Sequence, residues 1–98
     1  MSYQLTDEAA RDVEEILEYS VINFGAEQAQ HYFEALKECI ELLAENPRIG
    51  HSAEEILPDY LRFPFESHVI FYKIFPSSIL VVRILHECMD PERHIKET

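Results

Sequence analysis

Two apolar runs in the second half of the sequence decide the fold. They are His68-Val69-Ile70-Phe71-Tyr72-Lys73-Ile74-Phe75 and Ile79-Leu80-Val81-Val82-Arg83-Ile84-Leu85-His86, and Pro76-Ser77-Ser78 separates them. Both runs are rich in β-branched and aromatic residues, which is typical of strands whose two faces are covered. The short break between them predicts a β-hairpin. A strand pair this apolar needs other elements to cover it.

The first half of the chain predicts two amphipathic helices that supply this cover. Thr6 is the expected N-cap of the first helix, Gly25 fits a C-terminal cap with positive φ, and Asn46-Pro47 ends the second helix. Few residues join the helices, so they should pack as an antiparallel hairpin. The predicted core stripes are Ala9, Ala10, Val13, Ile16, Leu17, Val21 and Phe24, then Ala29, Tyr32, Phe33, Leu36, Ile40, Leu43 and Ala44. The solvent face of the first helix is predicted to hold Arg11, Asp12, Glu14, Glu15 and Glu18.

The remaining segments complete a small sheet. Ser2–Leu5 is a candidate edge strand, residues 47–52 are loop by composition, and Tyr60–Phe65 resumes strand character. Pro64 favours an edge position or a bulge in that strand. The predicted fold is α+β with the order β-α-α-β-β-β, in which an antiparallel helical hairpin packs on a mainly antiparallel sheet. We expect residues 1–98 to form one domain.

The charge is acidic and unevenly distributed. The chain has a net charge of −11, and residues 1–59 contain fourteen acidic and three basic residues, whereas residues 60–98 contain five of each. This balance argues against direct binding of DNA by the chain, because phosphate contacts need a surplus of Lys and Arg. We expect Cys39 and Cys88 to be reduced thiols and the protein to be cytoplasmic, with neither an export signal nor a membrane span.

No common catalytic motif is present. The sequence has no phosphate loop, glycine-rich nucleotide turn or nucleophile elbow. His86, Cys88, Asp90 and His94 lack metal-binding spacing, so we predict neither a metal nor a cofactor, and we expect His86 to satisfy backbone groups instead. One polar cluster remains on the predicted strands, and if it lay on one sheet face it would suit metal-free RNA cleavage. We favour the simpler interpretation, in which Arg83 and Tyr72 are ordinary strand residues, each with one polar tip at the surface. The cluster is Tyr60, Arg62, His68, Tyr72, Arg83 and His86.

The order of these segments resembles the RelE/ParE superfamily of bacterial toxins, and within it the ParE branch. The resemblance extends over nearly the whole chain, and its strength lies in the order and spacing of several short pieces. The pieces are Tyr3-Gln4-Leu5-Thr6 with Ala9-Ala10 and Asp12; Gly25 with Gln28-Ala29; Leu43-Ala44-Glu45-Asn46-Pro47 with Ile49-Gly50; Ser67-His68-Val69-Ile70-Phe71-Tyr72; and Arg83-Ile84-Leu85-His86 with Met89-Asp90.

The resemblance implies the toxin of a type II toxin–antitoxin module of the kind linked to plasmid stabilisation. Its target would be DNA gyrase, and a ParD-like antitoxin would hold it inactive in a hetero-oligomer. We expect the antitoxin to use apolar groove contacts and pairing at an exposed strand edge, with basic residues facing this acidic chain. The residues expected to meet the target or the antitoxin are Tyr60, Arg62, His68, Tyr72, Arg83, His86, Met89, Asp90 and Arg93.

Two departures from the family pattern leave alternatives open. The family tends to have glycine where this chain has Asp59 and Glu66, and arginine where it has Leu61. These changes lower the positive charge near the strand expected to help form the functional surface, which suggests a non-toxic remnant that still binds the antitoxin. The other alternative is a ribosome-dependent mRNA endonuclease of RelE type, whose catalytic residues would be Tyr60, Arg62, Arg83 and His86.

Overall fold

Five strands form one mixed sheet in the computed structural model, which describes residues 2–95. The strand order is β1-β5-β4-β3-β2, with β1 parallel to β5 and the other pairs antiparallel. The predicted α+β order is confirmed, and the short elements β2 and α3 lie in segments predicted as loop and tail. The elements are β1 Ser2–Leu5, α1 Asp7–Phe24, α2 Ala26–Glu45, a 3₁₀ turn Pro47–Ile49, β2 His51–Ser52, β3 Leu61–Phe65, β4 His68–Phe75, β5 Ser78–His86 and α3 Pro91–His94.

Local signals set the ends of the helical hairpin as the sequence predicts. The Thr6 hydroxyl accepts a hydrogen bond from the Ala9 N–H at 3.0 Å, which satisfies one of the free donors at the start of α1. Gly25 alone separates the two helices, has φ +90°, and donates its N–H to the Val21 carbonyl at 3.0 Å. A positive φ favours glycine there because it has no Cβ.

The two faces of the sheet are covered in different ways. The helices cover one face, and the buried residues of this helix-side core are Ala9, Leu36, Ile40, Leu43, Ala44, Ile70, Tyr72, Ile79, Val81 and Ile84. The other face is covered by the segment between β2 and β3 and by the end of the chain, and its buried residues are Ala53, Tyr60, Phe71, Leu85 and Ile95. Both faces of the hairpin are therefore covered, but only one of them by helices.

A close approach fixes the loop after α2 against the sheet. The Tyr72 side chain is buried, and its hydroxyl donates to the Pro47 carbonyl at 2.6 Å. A Cβ at Gly50 would overlap that hydroxyl, so glycine is needed there for space.

Helix α1 and its N-cap residue provide hydrogen-bond partners for backbone groups of β5 beyond the point where β1 ends. Strand β1 pairs only with residues 78–81 of β5. The Thr6 N–H donates to the Val81 carbonyl at 3.0 Å, and its hydroxyl donates to the Val82 carbonyl at 2.7 Å. Farther along, the Asp12 carboxylate accepts from the Ile84 N–H at 2.9 Å. Side chains of α1 and its cap thus replace the missing strand.

Asp12 also forms a bidentate ion pair with Arg83. Arg83 Nε and Nη2 donate to the two Asp12 oxygens at 2.7 and 2.9 Å, and Arg83 Nη1 donates to the His94 carbonyl at 2.7 Å. The bulge at Val82, an extra residue between the pairs Phe71–Arg83 and Tyr72–Val81, precedes Arg83. The two side chains are only 9% (Asp12) and 19% (Arg83) exposed. The predictions of a solvent-facing Asp12 and a surface-tipped Arg83 were therefore wrong. The Ile84 N–H at the open edge of β5 needs the Asp12 carboxylate as its acceptor, and that carboxylate is paired with the Arg83 guanidinium.

The far end of the helical hairpin projects past the core. Leu17, Val21 and Phe24, which continue the predicted core stripe of α1, are 36%, 43% and 64% exposed. Residues 21–28 are all exposed. The prediction that this half of the stripe is core was wrong, because helical spacing aligns the side chains but does not say where the opposing sheet ends.

Both positions at which the family pattern has glycine adopt a positive φ. Asp59 has φ 68° and Glu66 has φ 53°, and within residues 2–95 no other residue except Gly25 has a positive φ. Glu66 is the first residue of the two-residue turn that joins β3 to β4, a position at which a positive φ favours glycine. Asp59 and Glu66 therefore adopt a backbone conformation that glycine would adopt with less strain.

Strand β3 is an edge over most of its length. Strand β2 pairs only with Leu61 and Arg62, so the stretch from Phe63 to Phe65 has β4 on one side alone. Pro64 lies in that uncovered stretch, as its missing N–H predicts.

We predict that Asp12→Ala lowers the free energy of unfolding by about 3 kcal/mol, because it leaves the Arg83 guanidinium and the Ile84 N–H without their acceptor. Glu14→Ala, on the exposed side of the same helix, should change it by less than about 0.5 kcal/mol. Urea unfolding followed by circular dichroism measures both. Equal stability of the two variants would contradict the structural role given to Asp12.

We predict that Glu66→Gly raises the free energy of unfolding by about 0.5–1 kcal/mol, because relief of left-handed strain exceeds the entropy that glycine loses on folding. Ser77→Gly, in the turn between β4 and β5 where φ is not positive, serves as the control and should be neutral or destabilising. Thermal unfolding of the two variants tests this, and a destabilised Glu66→Gly would show that the turn carries no such strain.

Candidate functional site

An open groove lies between the helical hairpin and the adjoining ends of β4 and β5. Its volume is about 560 Å³, and most of its surface is apolar, although many of the lining side chains carry polar or charged groups. Grooves of this kind commonly bind ligands or peptide segments. The lining residues are Asp12, Glu15, Ile16, Tyr19, Ser20, Phe24, Gln28, Tyr32, Ser67, His68, Arg83, Ile84, His86 and Met89.

Three rings form the polar centre of the groove. The Tyr32 hydroxyl lies 2.8 Å from His68 Nδ1, and the rings of His68 and His86 meet edge to face with 5.4 Å between their centroids. His68 begins β4 and His86 ends β5, and the two residues are paired across the hairpin. Tyr32 reaches them from α2 and also packs edge to face on Phe65. The strand register and the helix position together assemble this group.

Burial shifts the pKa values of His68 and Tyr32. Desolvation lowers the pKa of His68, and the neighbouring His86 lowers it further, against an opposing effect of Asp12 and Glu87. Burial also raises the pKa of the Tyr32 hydroxyl, with a smaller contribution from Glu66. At neutral pH the groove therefore holds a neutral His68 imidazole beside a protonated tyrosine.

The charged residues at one end of the groove are already paired. Hydrogen bonding to Asp12 raises the pKa of the Arg83 guanidinium, and nearby Glu8 and Glu15 raise it further, against the opposing effect of burial. The Arg83 Nη1 group donates to the His94 carbonyl, so the guanidinium is bound both by Asp12 and by the end of α3. It lines the groove as a structural cation and is not positioned to capture a phosphate group.

Four of the nine predicted site residues line the groove, namely His68, Arg83, His86 and Met89. Tyr60 and Arg62 lie toward the other face of the sheet. Tyr60 belongs to the core of that face, with the Lys73 amine 5.5 Å from its ring centroid. Arg62 is paired in register with Phe71 of the same core, and its guanidinium forms an ion pair with Glu55 at 3.1 Å.

The other three predicted site residues have structural contacts. Tyr72 is buried in the helix-side core, under the loop after α2. Asp90 caps α3 by accepting from the Glu92 N–H at 3.1 Å, and Arg93 lies 3.7 Å from Asp90 on the surface. Arg83 is also paired in register with Phe71, and it lines both the groove and a second cavity beside Tyr60. The four residues proposed for RNA cleavage, Tyr60, Arg62, Arg83 and His86, are nevertheless not assembled in one site, because His86 lines the groove and Tyr60 and Arg62 lie toward the other face.

Sequence reasoning missed several groove residues. Asp12 is predicted to face the solvent, and Phe24 is placed on the core stripe of α1 by helical spacing alone. Tyr19 belongs to neither predicted face. Tyr32 was correctly placed on the apolar stripe of α2, but that spacing gives no information about what its hydroxyl meets. A polar residue inside an otherwise apolar stripe, such as the Tyr32 hydroxyl, is the one signal that would have drawn attention to the site.

Two further features bear on the chemistry. Within residues 2–95 no group of three or more His, Cys, Asp or Glu side chains is arranged to hold a metal ion, and no helix there is long and apolar enough to cross a membrane. Cys39 and Cys88 are free thiols, and burial raises the pKa of Cys39. The Cys88 N–H donates to His86 Nδ1 at 3.1 Å, so His86 satisfies a backbone group as predicted.

We predict that His68 makes the folded protein less stable as the pH falls through the range just below 6.5. The pKa of His68 is lower in the folded state, so the unfolded chain binds the extra proton first and stability decreases. His68→Gln should therefore lose less stability than wild type between pH 7.5 and pH 5.5 in urea unfolding. His31→Gln, on the exposed side of α2, is the control and should follow the wild type. Parallel curves for wild type and His68→Gln would refute the assignment.

Comparison with known proteins identifies the family of this chain. Residues 3–91 match the family described as the ParE toxin of the type II toxin–antitoxin system parDE. The chain is 37% identical over 94 residues to toxin ParE1 of Mycobacterium tuberculosis strain H37Rv, covering 95% of this chain and 96% of the relative. It is 34% identical over 93 residues to toxin ParE1 of Caulobacter vibrioides, covering 95% and 96%.

A solved structure shares the fold. A chain of the chromosomal ParDE TA system from P. aeruginosa superposes with a TM-score of 0.76 at 23% sequence identity, covering 88% of this chain and 95% of that chain. The family match covers most of the chain, and the two relatives align with it nearly end to end. The chain therefore belongs to the ParE toxin family of type II toxin–antitoxin systems.

Proposed function

We propose that this protein is the toxin of a two-gene module, that it acts in the cytoplasm by inhibiting DNA gyrase, and that a ParD-like antitoxin neutralises it by filling the groove. The observation that supports this is the family match over residues 3–91, in a chain whose groove is open and mostly apolar. Membership of the family supports a toxin–antitoxin module, and the open groove supports a binding site for the antitoxin.

The exposed apolar residues around the groove support a protein partner. Tyr19 is 63% exposed and Phe24 is 64% exposed, and both line the groove. Ile22, which lies between them in the sequence, is 74% exposed. Tyr19 and Phe24 also pack edge to face, with 6.4 Å between ring centroids. Contiguous exposed apolar surface of this kind marks interaction sites, and an amphipathic segment is the partner that best covers it.

The charge around the groove indicates the chemistry of that segment. Glu15 lines the groove, while Glu14 and Glu18 are exposed on the same helix. Asp12 is neutralised by Arg83, so the surplus charge along α1 is negative. An antitoxin segment with Lys or Arg beside its apolar anchors would complement this rim, and the attraction should weaken as salt increases.

The geometry bears on the two alternatives. A RelE-type endonuclease would need Tyr60, Arg62, Arg83 and His86 together, and they point to different surroundings on two sides of the sheet. A non-toxic remnant is suggested by Asp59, Leu61 and Glu66. However, Asp59 and Glu66 adopt a positive φ, so the backbone conformation that favours glycine is present in this chain without glycine. The toxin is therefore the interpretation that the observations favour.

We expect expression of the protein alone to arrest bacterial growth, and co-expression with the product of the adjacent reading frame to restore it. The purified protein should inhibit supercoiling by gyrase, and the purified partner should relieve that inhibition. Growth arrest with uninhibited supercoiling would remove gyrase as the target. Normal growth together with tight binding of the partner would favour the remnant.

We expect Phe24→Ser to weaken antitoxin binding by about tenfold or more, because burial of a phenylalanine side chain contributes about 1.5–3 kcal/mol. Phe24 is largely exposed in the free protein, so the fold should be unaffected. Phe75→Ser is the matched control, since Phe75 is also exposed but lies at the turn end of the β4–β5 hairpin, away from the groove. Titration calorimetry measures both, and equal affinities would place the antitoxin elsewhere.

A further inference from the structure

The hydrogen bond from Cys88 fixes the tautomer of one groove histidine. The Cys88 N–H donates to His86 Nδ1 at 3.1 Å, so Nδ1 acts as the acceptor and bears no proton. The neutral ring then carries its proton on Nε2. Within residues 2–95 that Nε2–H has no hydrogen-bond acceptor, and His86 lines the groove.

The second histidine follows the same pattern. Tyr32 O and His68 Nδ1 are 2.8 Å apart, and in the part of the chain that the structure describes the hydroxyl has no other hydrogen-bond partner. A phenol O–H is a more acidic donor than a neutral imidazole N–H, and an unprotonated imidazole nitrogen is a better acceptor than a phenol oxygen, so the Tyr32 hydroxyl donates to His68 Nδ1. His68 is therefore also an Nε2–H tautomer, and again no described residue accepts that proton.

We propose that His68 and His86 form a paired donor site, in which the two Nε2–H groups bind neutral carbonyl oxygens of the antitoxin segment that fills the groove. The inference rests on the proposed function, because it assigns contacts within the groove that the antitoxin is proposed to occupy. A partner that covers two unpaired donors without offering acceptors would bind more weakly, since buried donors need partners. The two rings meet edge to face with 5.4 Å between their centroids, so one segment in the groove can contact both of them.

The charges that face the two rings favour a neutral acceptor over a carboxylate. Asp12 and Glu87 act on His68, Glu66 acts on Tyr32, and Glu15 lies in the groove wall. Arg83, the nearby cation, is already committed to Asp12. An incoming carboxylate would add to this negative charge, whereas a main-chain carbonyl or an Asn or Gln amide would not.

The test compares His86→Phe with His86→Gln in binding the product of the adjacent reading frame at pH 7.5. Phenylalanine keeps a ring but removes the donor, so affinity should fall about threefold to tenfold, while glutamine offers an N–H donor and should restore part of it. His68→Phe and His68→Gln repeat the comparison at the other ring. His31→Phe, exposed on α2 and outside the groove, should bind like wild type.

A nitrogen-15 NMR spectrum of the imidazoles gives the second measurement. Both groove histidines should show protonated Nε2 and unprotonated Nδ1 in the free protein, and should stay neutral in the complex. Proton uptake on binding, or imidazolium spectra in the complex, would overturn the neutral acceptor in favour of a carboxylate. Unchanged affinity in both Phe variants would overturn the donor site while leaving the proposed function intact. Failure of the wild-type protein to bind would instead refute the proposed function, and the donor site with it.

Discussion

The Asp12 carboxylate ties together three elements of the chain, namely α1, β5 and the end of α3. It lies on α1, accepts from the Ile84 N–H of β5, and binds the Arg83 guanidinium, whose third nitrogen reaches the His94 carbonyl at the end of α3. The Ile84 N–H needs this acceptor because β1 is short and leaves the second half of β5 without a neighbouring strand on that side. A charged acceptor is suited to this place because it meets a backbone donor and a guanidinium at once, at a largely buried position.

That constraint also shapes the groove. Because α1 is tied to β5 at Asp12, the helix crosses the sheet so that its later apolar residues pass beyond the strands and become the groove wall. The same ion pair removes Arg83 from the surface and leaves the groove with neutral polar groups at its centre and carboxylates at its rim. A protein segment fits this surface better than a nucleic acid does, which agrees with the acidic balance of the whole chain.

The sequence predicted most of the fold because the patterns that govern it are local. The runs at 68–75 and 79–86 became β4 and β5 with the expected hairpin, and Thr6, Gly25 and Pro47 marked the helix ends. Asp12 could not be recognised in the same way, since a buried acid and a solvated one look alike in a helix of many acids. Whether Asp12 is buried depends on where β1 stops. The N–H from which it accepts a hydrogen bond belongs to Ile84, 72 positions away in the sequence.

The groove was harder to predict because its chemistry comes from atoms brought together by register. His68 and His86 are opposite one another only because the bulge at Val82 adds a residue to β5. Tyr32 meets them through the position of α2 on the sheet. The split of Tyr60 and Arg62 from His86 has the same origin, because one residue of register decides which face a strand side chain occupies.

The uncovered half of β3 has a consequence for the free protein. An exposed strand edge invites a second copy of the same chain to pair with it, and such contacts can extend into aggregates. Here Pro64 interrupts the row of donors between Phe63 and Phe65, and β2 blocks the rest of that edge. The free protein is therefore protected from self-association along the edge of β3. A partner that binds by adding a strand would also have few backbone hydrogen-bonding groups available at this edge.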